Sequence, residues 1–543
     1  MSDTTFTPVP RAAVLDAAHI GDIQGALGTI RLGDHGHRRG LKAKLSTLMA
    51  IVGPGLIVMI GDNDAGAFGT YTQAGQNYGT ALLWTLLLLV PVLYVNQEMV
   101  LRLGAVTGVG HARLILERFG KFWGAFSVID LFILNGLTIV TEFIGIDLAL
   151  GYLGVPKMWG IAAAAGIIVA AASTGSFRRF ERFSLALCFF SLLLVPVFVM
   201  IHPPLKQVGH DLMVPHFPAG SSVADVMLLV IAIVGTTIAP WQLFFQQSYV
   251  IDKRITPRFM AYEKADLVIG IVVVLIGAVA MMAFTAAAFA GTAGFGQFTD
   301  AGSVAAGLEA SAGRAAGVMF ALALLDASII GASAVSLSSA YAIGDVLALR
   351  HSLHRKPGDA IGFYVVYAGL IAVAAALVLL GSNALLGLLT NAVQTLAGVL
   401  LPSATVFLLL LCNDKDVLGP WVNGRWLNLF TGAVIWALVM LSIILTAATL
   451  FPGMSGKTIV AILGGGSLLG VCGFAGFSLF RRRGAVAAPL DRSARASWRM
   501  PPLDTLPPAR LSRSKRLWMG ILRLYLVAAV VLVAVKVIQI ALA

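Results

Sequence analysis

The sequence predicts an all-α polytopic membrane protein whose core is an inverted repeat of five plus five helices, with broken helices 1 and 6 and additional C-terminal helices. Of the 543 residues, 58% are hydrophobic and 12% are charged, whereas soluble proteins carry about 25% charged residues. Apolar runs close to the roughly 20 residues that cross a hydrocarbon core recur along nearly the whole chain. Two of these runs, five spans apart, contain helix breakers, a pattern typical of inverted repeats.

The apolar runs predict about thirteen membrane helices. Their expected positions are 45–76, 80–103, 122–153, 158–174, 182–202, 224–250, 264–292, 313–348, 360–382, 384–412, 427–451, 457–480 and 517–541. The first run is interrupted at Gly61–Gly66 and the sixth at Gly235–Pro240. Unwound backbone is not tolerated against lipid, because its free carbonyls and amides have no partner there. Both interruptions are therefore predicted to line a cavity enclosed by protein.

The basic residues predict the topology. The formal net charge of +12 comes from short loops between apolar runs, which disfavours a nucleic-acid partner. These loops alternate along the chain, and the richest of them include Lys253, Arg254 and Arg258. By the positive-inside rule, the N-terminus is expected in the cytoplasm.

These features divide the chain into five predicted parts. They are a cytoplasmic N-terminal segment (1–44), the inverted-repeat transport core (45–412), additional transmembrane helices (413–483), a basic cytoplasmic linker (484–515) and a last helix (516–543). The linker is rich in Pro, Ser and Arg and lacks apolar periodicity. The last apolar run predicts either a final crossing or an interfacial helix.

Several functional classes have no support in the sequence. Cys188, Cys412 and Cys472 lie inside apolar runs without CxxC spacing, so neither a disulfide framework nor a zinc site is predicted. The chain has no GxxxxGK[ST] P-loop, which disfavours an ATP-driven pump. We expect no enzyme activity, no cofactor and no obligate protein partner.

Asp64, in the first interruption, is the strongest candidate for a functional residue. An acidic side chain at mid-membrane depth is costly, and such residues are usually functional. The flanking glycines and the freed carbonyls would make this an oxygen-rich place that suits a cation. Asp62 and Asn63 either add to this cluster or point into the aqueous vestibule, and the sequence leaves both possibilities open.

Other polar side chains within apolar spans include Gln97, Glu98, Glu142, Asp326 and Gln394. Each could form a hydrogen bond between helices, which is the default for a glutamine. The three acids are also candidates for an ion or proton pathway, because a buried charge costs more than a buried amide.

An ordered series of motifs runs from about residue 45 to 450. Its members are Gly53-Pro54-Gly55, the break ending at Asp64 and Gly66, Phe68, Gln73-Ala74-Gly75, Trp84, Thr107-Gly108, Glu142 with Gly145, the sixth-helix break, and the run from Gln394 through Pro402, Asp414, Val422-Asn423 and Arg425-Trp426. In this order the motifs resemble those of the natural resistance-associated macrophage protein (NRAMP) metal transporters. The resemblance implies a LeuT-type fold and a divalent metal ion as the transported substrate.

The resemblance also implies roles for individual residues. Asp64 matches the first-helix aspartate that binds metal, Thr236 matches a sixth-helix carbonyl ligand, and Gln394 matches a glutamine of the occluded site. Two family ligands are replaced, because the first-helix asparagine matches Ala67 and the sixth-helix methionine matches Ala239. Gly66, beside Ala67, belongs to the same first-helix motif.

The positions linked to proton transport in the family are also changed. Its two sixth-helix histidines match Trp241 and Gln246, while Glu142 is retained. The resemblance therefore implies weak or absent proton coupling.

Loss of a sulfur ligand disfavours transition metals, and oxygen ligands suit hard cations. Magnesium keeps several of its waters and needs only one or two carboxylates. The pattern resembles the NRAMP-related magnesium transporter branch, so the predicted substrate is Mg²⁺ and also Mn²⁺, moved by alternating access across a bacterial inner membrane. The alternatives are a proton-coupled Mn²⁺ or Fe²⁺ symporter, an amino-acid or organic-cation carrier on the same fold, and a transport-inactive sensor.

Overall fold

The computed structural model describes residues 15–34, 36–218, 220–381, 383–450 and 455–481, and, nearer the C-terminus, 495, 498–507, 509, 517, 519–522, 524 and 527. Within this part of the chain the protein is built from helices, joined by short turns, and from one small antiparallel hairpin. The hairpin consists of β1 (Ile23–Gly25) and β2 (Gly28–Ile30). It is the one feature that an all-α prediction did not include.

The helices of the first half are α1 (Leu41–Ile51), α2 (Pro54–Gly61), α3 (Ala65–Tyr78), α4 (Leu83–Thr107), α5 (His111–Phe119), α6 (Lys121–Tyr152), α7 (Lys157–Ala172), α8 (Phe177–Phe190) and α9 (Leu194–Ile201). Those of the second half are α10 (Leu205–Met213), α11 (Val223–Thr237), α12 (Pro240–Asp252), α13 (Met260–Phe289), α14 (Ala301–Ala312), α15 (Arg314–Val346), α16 (Ile361–Leu380) and α17 (Asn383–Cys412). The additional helices are α18 (Lys415–Leu418), α19 (Arg425–Leu450) and α20 (Gly456–Arg481).

The helices match the predicted spans closely. In the described residues nine helices are long and apolar enough to cross a membrane, or up to 11 if each of two bent helix pairs counts as one span. The predicted span at 158–174 corresponds to α7, which has 16 residues and is shorter than the others. The predicted span at 517–541 lies almost entirely outside the described residues. The division of the chain into five parts remains a prediction.

The start of the predicted first span contains a bend. Residues 45–51 lie in α1, which is bent by 51° from α2 and passes together with α2 as one candidate span. Pro54 causes the change of direction, because its ring disfavours helical backbone at the residue before it and it has no N–H. The interruption around residues 62–64 lies further along, between α2 and α3.

Two broken helices cross the core, as predicted. The first span consists of α2 and α3, and the sixth consists of α11 and α12. Helix α13 packs along both halves of the first span, and α4 packs along both halves of the sixth. Helices α6 and α15, which are the third membrane spans of the two halves, pack against each other. This arrangement places both breaks in the interior of the bundle.

Two glycines allow the first span to approach α13 closely. A Cβ at Gly55 would lie 2.6 Å from the Leu267 amide nitrogen, and a Cβ at Gly75 would lie 2.4 Å from the Met282 carbonyl oxygen. Since these neighbours are backbone atoms, they cannot rotate away. The two glycines therefore fix the first span against α13 on either side of its break.

The N-terminal segment folds over one end of the bundle, which we call the N-terminal face. The turn between β1 and β2 meets α8, where the Ala26 amide donates a 2.5 Å hydrogen bond to Glu181 and the Arg182 side chain donates to the Ala26 carbonyl. Asp16, just before the hairpin, pairs with Arg355 in the loop after α15 at 2.6 Å. The segment thus connects elements from both halves.

Beneath the hairpin lies a fully buried ion pair between Lys253 and Glu181, with 2.6 Å between Nζ and Oε1. The Lys253 ammonium also donates to the carbonyls of Ile51 and Val52, where α1 meets α2. Lys253 thus follows the end of α12, as its predicted place in a loop between spans requires, but its side chain is buried. The sequence shows its charge but not its partners, which lie 72 and about 200 residues away.

Candidate cation site

The first break is the three-residue segment Asp62, Asn63 and Asp64, between the end of α2 and the start of α3. All three side chains are buried, with 1%, 6% and 4% of their surface exposed. The interruption falls where Gly61–Gly66 predicted it. Three adjacent polar side chains are thus held inside the protein at the centre of a membrane span.

Side chains satisfy the free backbone amides at the start of α3. The Asp64 carboxylate caps this helix, since its Oδ1 accepts a 2.9 Å hydrogen bond from the Ala67 amide. Glu142 of α6 accepts a 3.1 Å hydrogen bond from the Ala65 amide through Oε2. Without such partners these amides would be costly inside a membrane. The structure therefore brings Glu142 to the same helix end as Asp64.

The second break leaves a backbone carbonyl open. Helix α11 ends at Thr237 and α12 begins at Pro240, with Ala239 in extended conformation between them. The Thr236 carbonyl would normally accept from the amide four residues later, but Pro240 has no amide hydrogen. The Thr236 hydroxyl is also buried and without a hydrogen-bond partner in the described part of the chain. Thr236 therefore offers oxygen atoms at the break.

Several contacts join the two breaks. The Gln242 amide donates to Asp62 Oδ1 and itself accepts a 2.8 Å hydrogen bond from Gln97 of α4. Tyr71 and Thr237 are hydrogen-bonded at 2.8 Å. The Trp241 ring lies next to Gly61, at the end of α2. The breaks therefore face each other across a shared interior.

The other predicted lining residues also lie in this interior. Gly66, Ala67 and Ala239 are buried, and the Ser338 hydroxyl of α15 donates to the Trp241 carbonyl at 2.9 Å. Gln246 is fully buried, and neither its amide oxygen nor its amide nitrogen has a partner among the described residues.

Gln394 lies on α17, and its side chain is outside the described part of the structure. The backbone of α17 passes the second break four residues further on, where a Cβ at Gly398 would lie 3.7 Å from the Gly235 Cα. A role for Gln394 in the site remains a prediction.

Two predicted pathway residues are held elsewhere. Glu98 forms ion pairs with Arg102 at 3.2 Å and with Lys264 at 2.7 Å. Asp326 of α15 lines a separate cavity together with Asn63, and Asp64 is not among the residues of that cavity. The Asn63 amide donates to the Val274 carbonyl of α13 at 3.2 Å. The pathway roles of Glu98 and Asp326 remain predictions.

Two residues that position the site were not recognised from the sequence. Gln242 holds Asp62, but a glutamine on a membrane helix gives no sign of its partner. Gly331 of α15 lies against both acids, since a Cβ there would be 2.8 Å from the Glu142 carboxyl carbon and 3.0 Å from the Asp64 Cβ. The signal for Gly331 was a glycine inside a long helix, which often marks a close approach.

The atoms at the breaks that could bind a metal ion are oxygens. In the described residues no group of three or more His, Cys, Asp or Glu side chains could hold a metal ion. The side chains of Ala67 and Ala239 contribute no ligand atoms, and the acids at the first break are Asp62, Asp64 and Glu142. The arrangement suits a cation that needs few protein ligands.

A multi-pass bundle in which two broken helices face each other defines the class of broken-helix membrane transporters. Residues 55–448 match the family model "Natural resistance-associated macrophage protein-like". This chain therefore belongs to the natural resistance-associated macrophage protein-like family. The match confirms the family that the motifs resembled.

Two bacterial relatives carry the name "Divalent metal cation transporter MntH". The protein from Ralstonia nicotianae is 30% identical over 413 residues, which cover 72% of this chain and 88% of the relative. The protein from Xylella fastidiosa is 27% identical over 465 residues, covering 82% of this chain and 92% of the relative. These named relatives are transporters and not enzymes.

Solved structures confirm the fold. A manganese transporter from Eremococcus coleocola, crystallised with an aromatic bis-isothiourea compound, superposes with a TM-score of 0.62 at 19% identity and covers 81% of this chain and 96% of its own. MhsT in complex with L-phenylalanine has a TM-score of 0.50 at 14% identity, covering 72% of this chain and 97% of its own. The prediction of a LeuT-type fold is therefore confirmed.

We predict that Gly331→Ala disturbs the first break. The added methyl group would press on the Glu142 carboxyl group and the Asp64 Cβ, and overpacking of this kind costs about 1–3 kcal/mol. Thermal unfolding of the purified protein should show a lower midpoint. Gly369→Ala on α16 is the matched control, because a Cβ there meets no atom within 4 Å. Equal midpoints for the two variants would contradict the close approach at Gly331.

Proposed function

We propose that this chain is a secondary transporter of divalent metal cations that carries Mg²⁺, and also Mn²⁺, by alternating access with weak or no proton coupling. The observation that carries the proposal is the composition of the two breaks. They hold Asp64 and the open Thr236 carbonyl, but alanine at 67 removes an amide ligand and alanine at 239 removes a sulfur ligand. The metal ion is the transported substrate and not a resident cofactor.

The proposed ligands follow from the atoms at the breaks. Asp64 provides the charge, Thr236 provides its carbonyl oxygen, and Gln394 provides a side-chain oxygen. Asp62, whose second carboxylate oxygen has no partner in the described chain, accepts a hydrogen bond from a water that the ion keeps. Asn63 is a less suitable partner for this water, because its side chain lines the separate cavity that contains Asp326 and not Asp64. Such a site has one carboxylate and several waters, which is how Mg²⁺ is commonly held.

The small residues provide space and change the ligand chemistry. Alanine at 67 and 239 leaves room for the waters that a magnesium ion gives up reluctantly. Oxygen-only surroundings favour hard cations, whereas a thioether would favour softer transition metals. Trp241 and Gln246, where relatives carry histidines, provide no group that titrates near neutral pH. We therefore propose that transport does not require a proton.

The proposed setting is a bacterial inner membrane with the N-terminal face in the cytoplasm. The basic loops of the sequence support this orientation. The bacterial origin of the two relatives supports the inner membrane. An inside-negative potential contributes about 2.3 kcal/mol per charge per 100 mV, so a divalent ion can accumulate without proton coupling.

Two other functions are alternatives to this one. Glu142, beside the Ala65 amide, favours a proton-coupled Mn²⁺ or Fe²⁺ symporter as the second candidate, because it could carry a proton close to the ion. An amino-acid carrier is less suitable, since it would place a substrate carboxylate at the N-terminus of α3. The Asp64 carboxylate already caps that position and would repel another anion.

We predict that vesicles containing the wild-type protein take up Mg²⁺ when the potential is negative inside, and that Asp64→Asn reduces the initial rate about tenfold or more. The substitution keeps the shape of the side chain but removes its charge, and charged interactions contribute about 1.5–3 kcal/mol. A pH dye inside the vesicles should report no acidification. Asp147→Asn, which alters the partly exposed pair with Lys157, should transport like wild type.

The outcomes separate the candidates. Acidification that accompanies metal uptake would favour the proton-coupled symporter. Competition of uptake by amino acids would favour the amino-acid carrier. No Mg²⁺ flux in wild-type vesicles would contradict the proposal.

We predict that Ala239→Met shifts selectivity toward Mn²⁺ over Mg²⁺ by about tenfold in relative uptake rate, because a thioether prefers softer ions. Ala239→Leu is the matched control, since leucine fills a similar volume without sulfur. Competition of Mg²⁺ uptake by Mn²⁺ measures the shift. The same change in both variants would mean that volume and not sulfur sets selectivity.

A further inference from the structure

A second cavity lies beside the first break. It is bounded by α13 and by the fifth span, which consists of α8 and α9. Its wall includes Asn63, Phe68, Leu192, Ile276 and Asp326. The enclosed volume of this cavity is about 70 Å³, and its outer part is open to the surroundings. Asp64 and Thr236 are not among its lining residues, so it is separate from the proposed cation site.

The polar end of the cavity has unsatisfied acceptors. Asp326 is 7% exposed, and neither of its carboxylate oxygens has a hydrogen-bond partner among the described residues. The Asn63 side-chain oxygen is also buried and unpartnered. A buried carboxylate without a cation is costly, so this end of the cavity suits a positively charged group that donates hydrogen bonds.

The mouth of the cavity is apolar. Leu192, Val195 and Ile276 are 45%, 45% and 54% exposed, and all three lie within helices that are apolar enough to cross a membrane. Helix α8 gives way to a short 3-10 turn at Ser191–Leu193 before α9, and this change of geometry coincides with the opening. Exposed apolar side chains on a membrane span face lipid chains. The cavity can therefore be entered from the side of the bilayer.

We infer that this lateral cavity binds a primary alkylammonium ion, with the ammonium group on Asp326 and the alkyl chain between the apolar walls. An ammonium group has three N–H donors, and the cavity offers three unpartnered acceptors, two on Asp326 and one on Asn63. The alkyl chain gains from leaving water, at roughly 0.8 kcal/mol per buried CH₂ group. A hydrated divalent ion fits less well, because the apolar walls cannot accept hydrogen bonds from its waters.

Binding at this place would affect the first break. Asn63 belongs to the break itself, and Phe68 lies one turn into α3. A ligand held between these residues and α13 opposes any rearrangement of the first span. We therefore expect a bound alkylammonium ion to slow transport without competing for the cation at Asp64.

The test uses the full chain in lipid nanodiscs and measures saturable binding of decylammonium. We expect binding to wild type, affinity about tenfold or more lower for Asp326→Asn, and unchanged affinity for Asp130→Asn, a carboxylate on α6 that does not line the cavity. Ile276→Trp narrows the mouth without changing a charge and should also weaken binding. This second variant keeps the test decisive if Asp326→Asn fails to fold.

Three control ligands separate specific binding from partitioning. Decanol has the chain without the charge, decyltrimethylammonium has the charge without N–H donors, and methylammonium has the donors without the chain. All three should bind at least about tenfold more weakly than decylammonium. Equal binding of any of them, or unchanged decylammonium binding in Asp326→Asn, would overturn the inference. Displacement of decylammonium by Mg²⁺ that depends on Asp326 would assign the carboxylate to a metal ion and would also overturn it.

Discussion

The structure depends on one constraint, namely that unwound backbone inside a membrane must find partners within the protein. Each backbone amide or carbonyl left unsatisfied in hydrocarbon costs several kcal/mol. At the first break, Asp64 and Glu142 satisfy the amides of Ala67 and Ala65, so the acids hold the break in shape. At the second break, Pro240 removes the donor that would have bound the Thr236 carbonyl. At the first break, carboxylate oxygens therefore accept hydrogen bonds from backbone amides. At the second break, the Thr236 carbonyl oxygen stays without a backbone donor and is the proposed ligand for a cation.

The same constraint explains how the rest of the bundle is arranged. The breaks require enclosing helices, and α13 and α4 provide them by packing along the first and sixth spans. Glycines at 55, 75 and 331 permit the close approaches that keep water and lipid out. At the N-terminal face, the buried pair of Lys253 and Glu181 ties α12 to α8 and to the junction of α1 and α2. Breaking such a buried pair by removing one partner typically costs about 3–5 kcal/mol. Both broken spans are therefore anchored at this face.

The sequence allowed much of the fold to be predicted, because long apolar runs and helix breakers are local signals. Gly61–Gly66 and Gly235–Pro240 marked both breaks, and the cost of a charge at mid-membrane depth singled out Asp64. Long-range pairing gave no such signal. The partner of Gln242 is 180 residues away, that of Lys253 is 72 residues away, and the hairpin at 23–30 meets α8 about 155 residues later. The sequence around Lys253 does not distinguish a side chain exposed to solvent from one in a buried ion pair.

The chemistry of the proposed site follows from the residues at these breaks. Asp64 contributes charge, Thr236 contributes a carbonyl, and the alanines at 67 and 239 contribute space. With few protein ligands, a cation must keep part of its water, which favours an ion that is slow to dehydrate. The proposed selectivity depends on the ligand groups that are missing at Ala67 and Ala239 as much as on the oxygen atoms of Asp64 and Thr236. In the proposed site, the ion and the waters it retains would lie between two helix ends that are buried inside the bundle.

The most direct test of this account is to locate a bound ion. Crystals of the full chain soaked in Mn²⁺, which scatters anomalously, should show an anomalous peak between the two breaks, within direct or one-water reach of the Asp64 carboxylate and the Thr236 carbonyl. Excess Mg²⁺ in the soak should reduce this peak, because both ions would share the site. A peak at Asp326 or Glu98 with none between the breaks, or a central peak that Mg²⁺ does not reduce, would contradict the account.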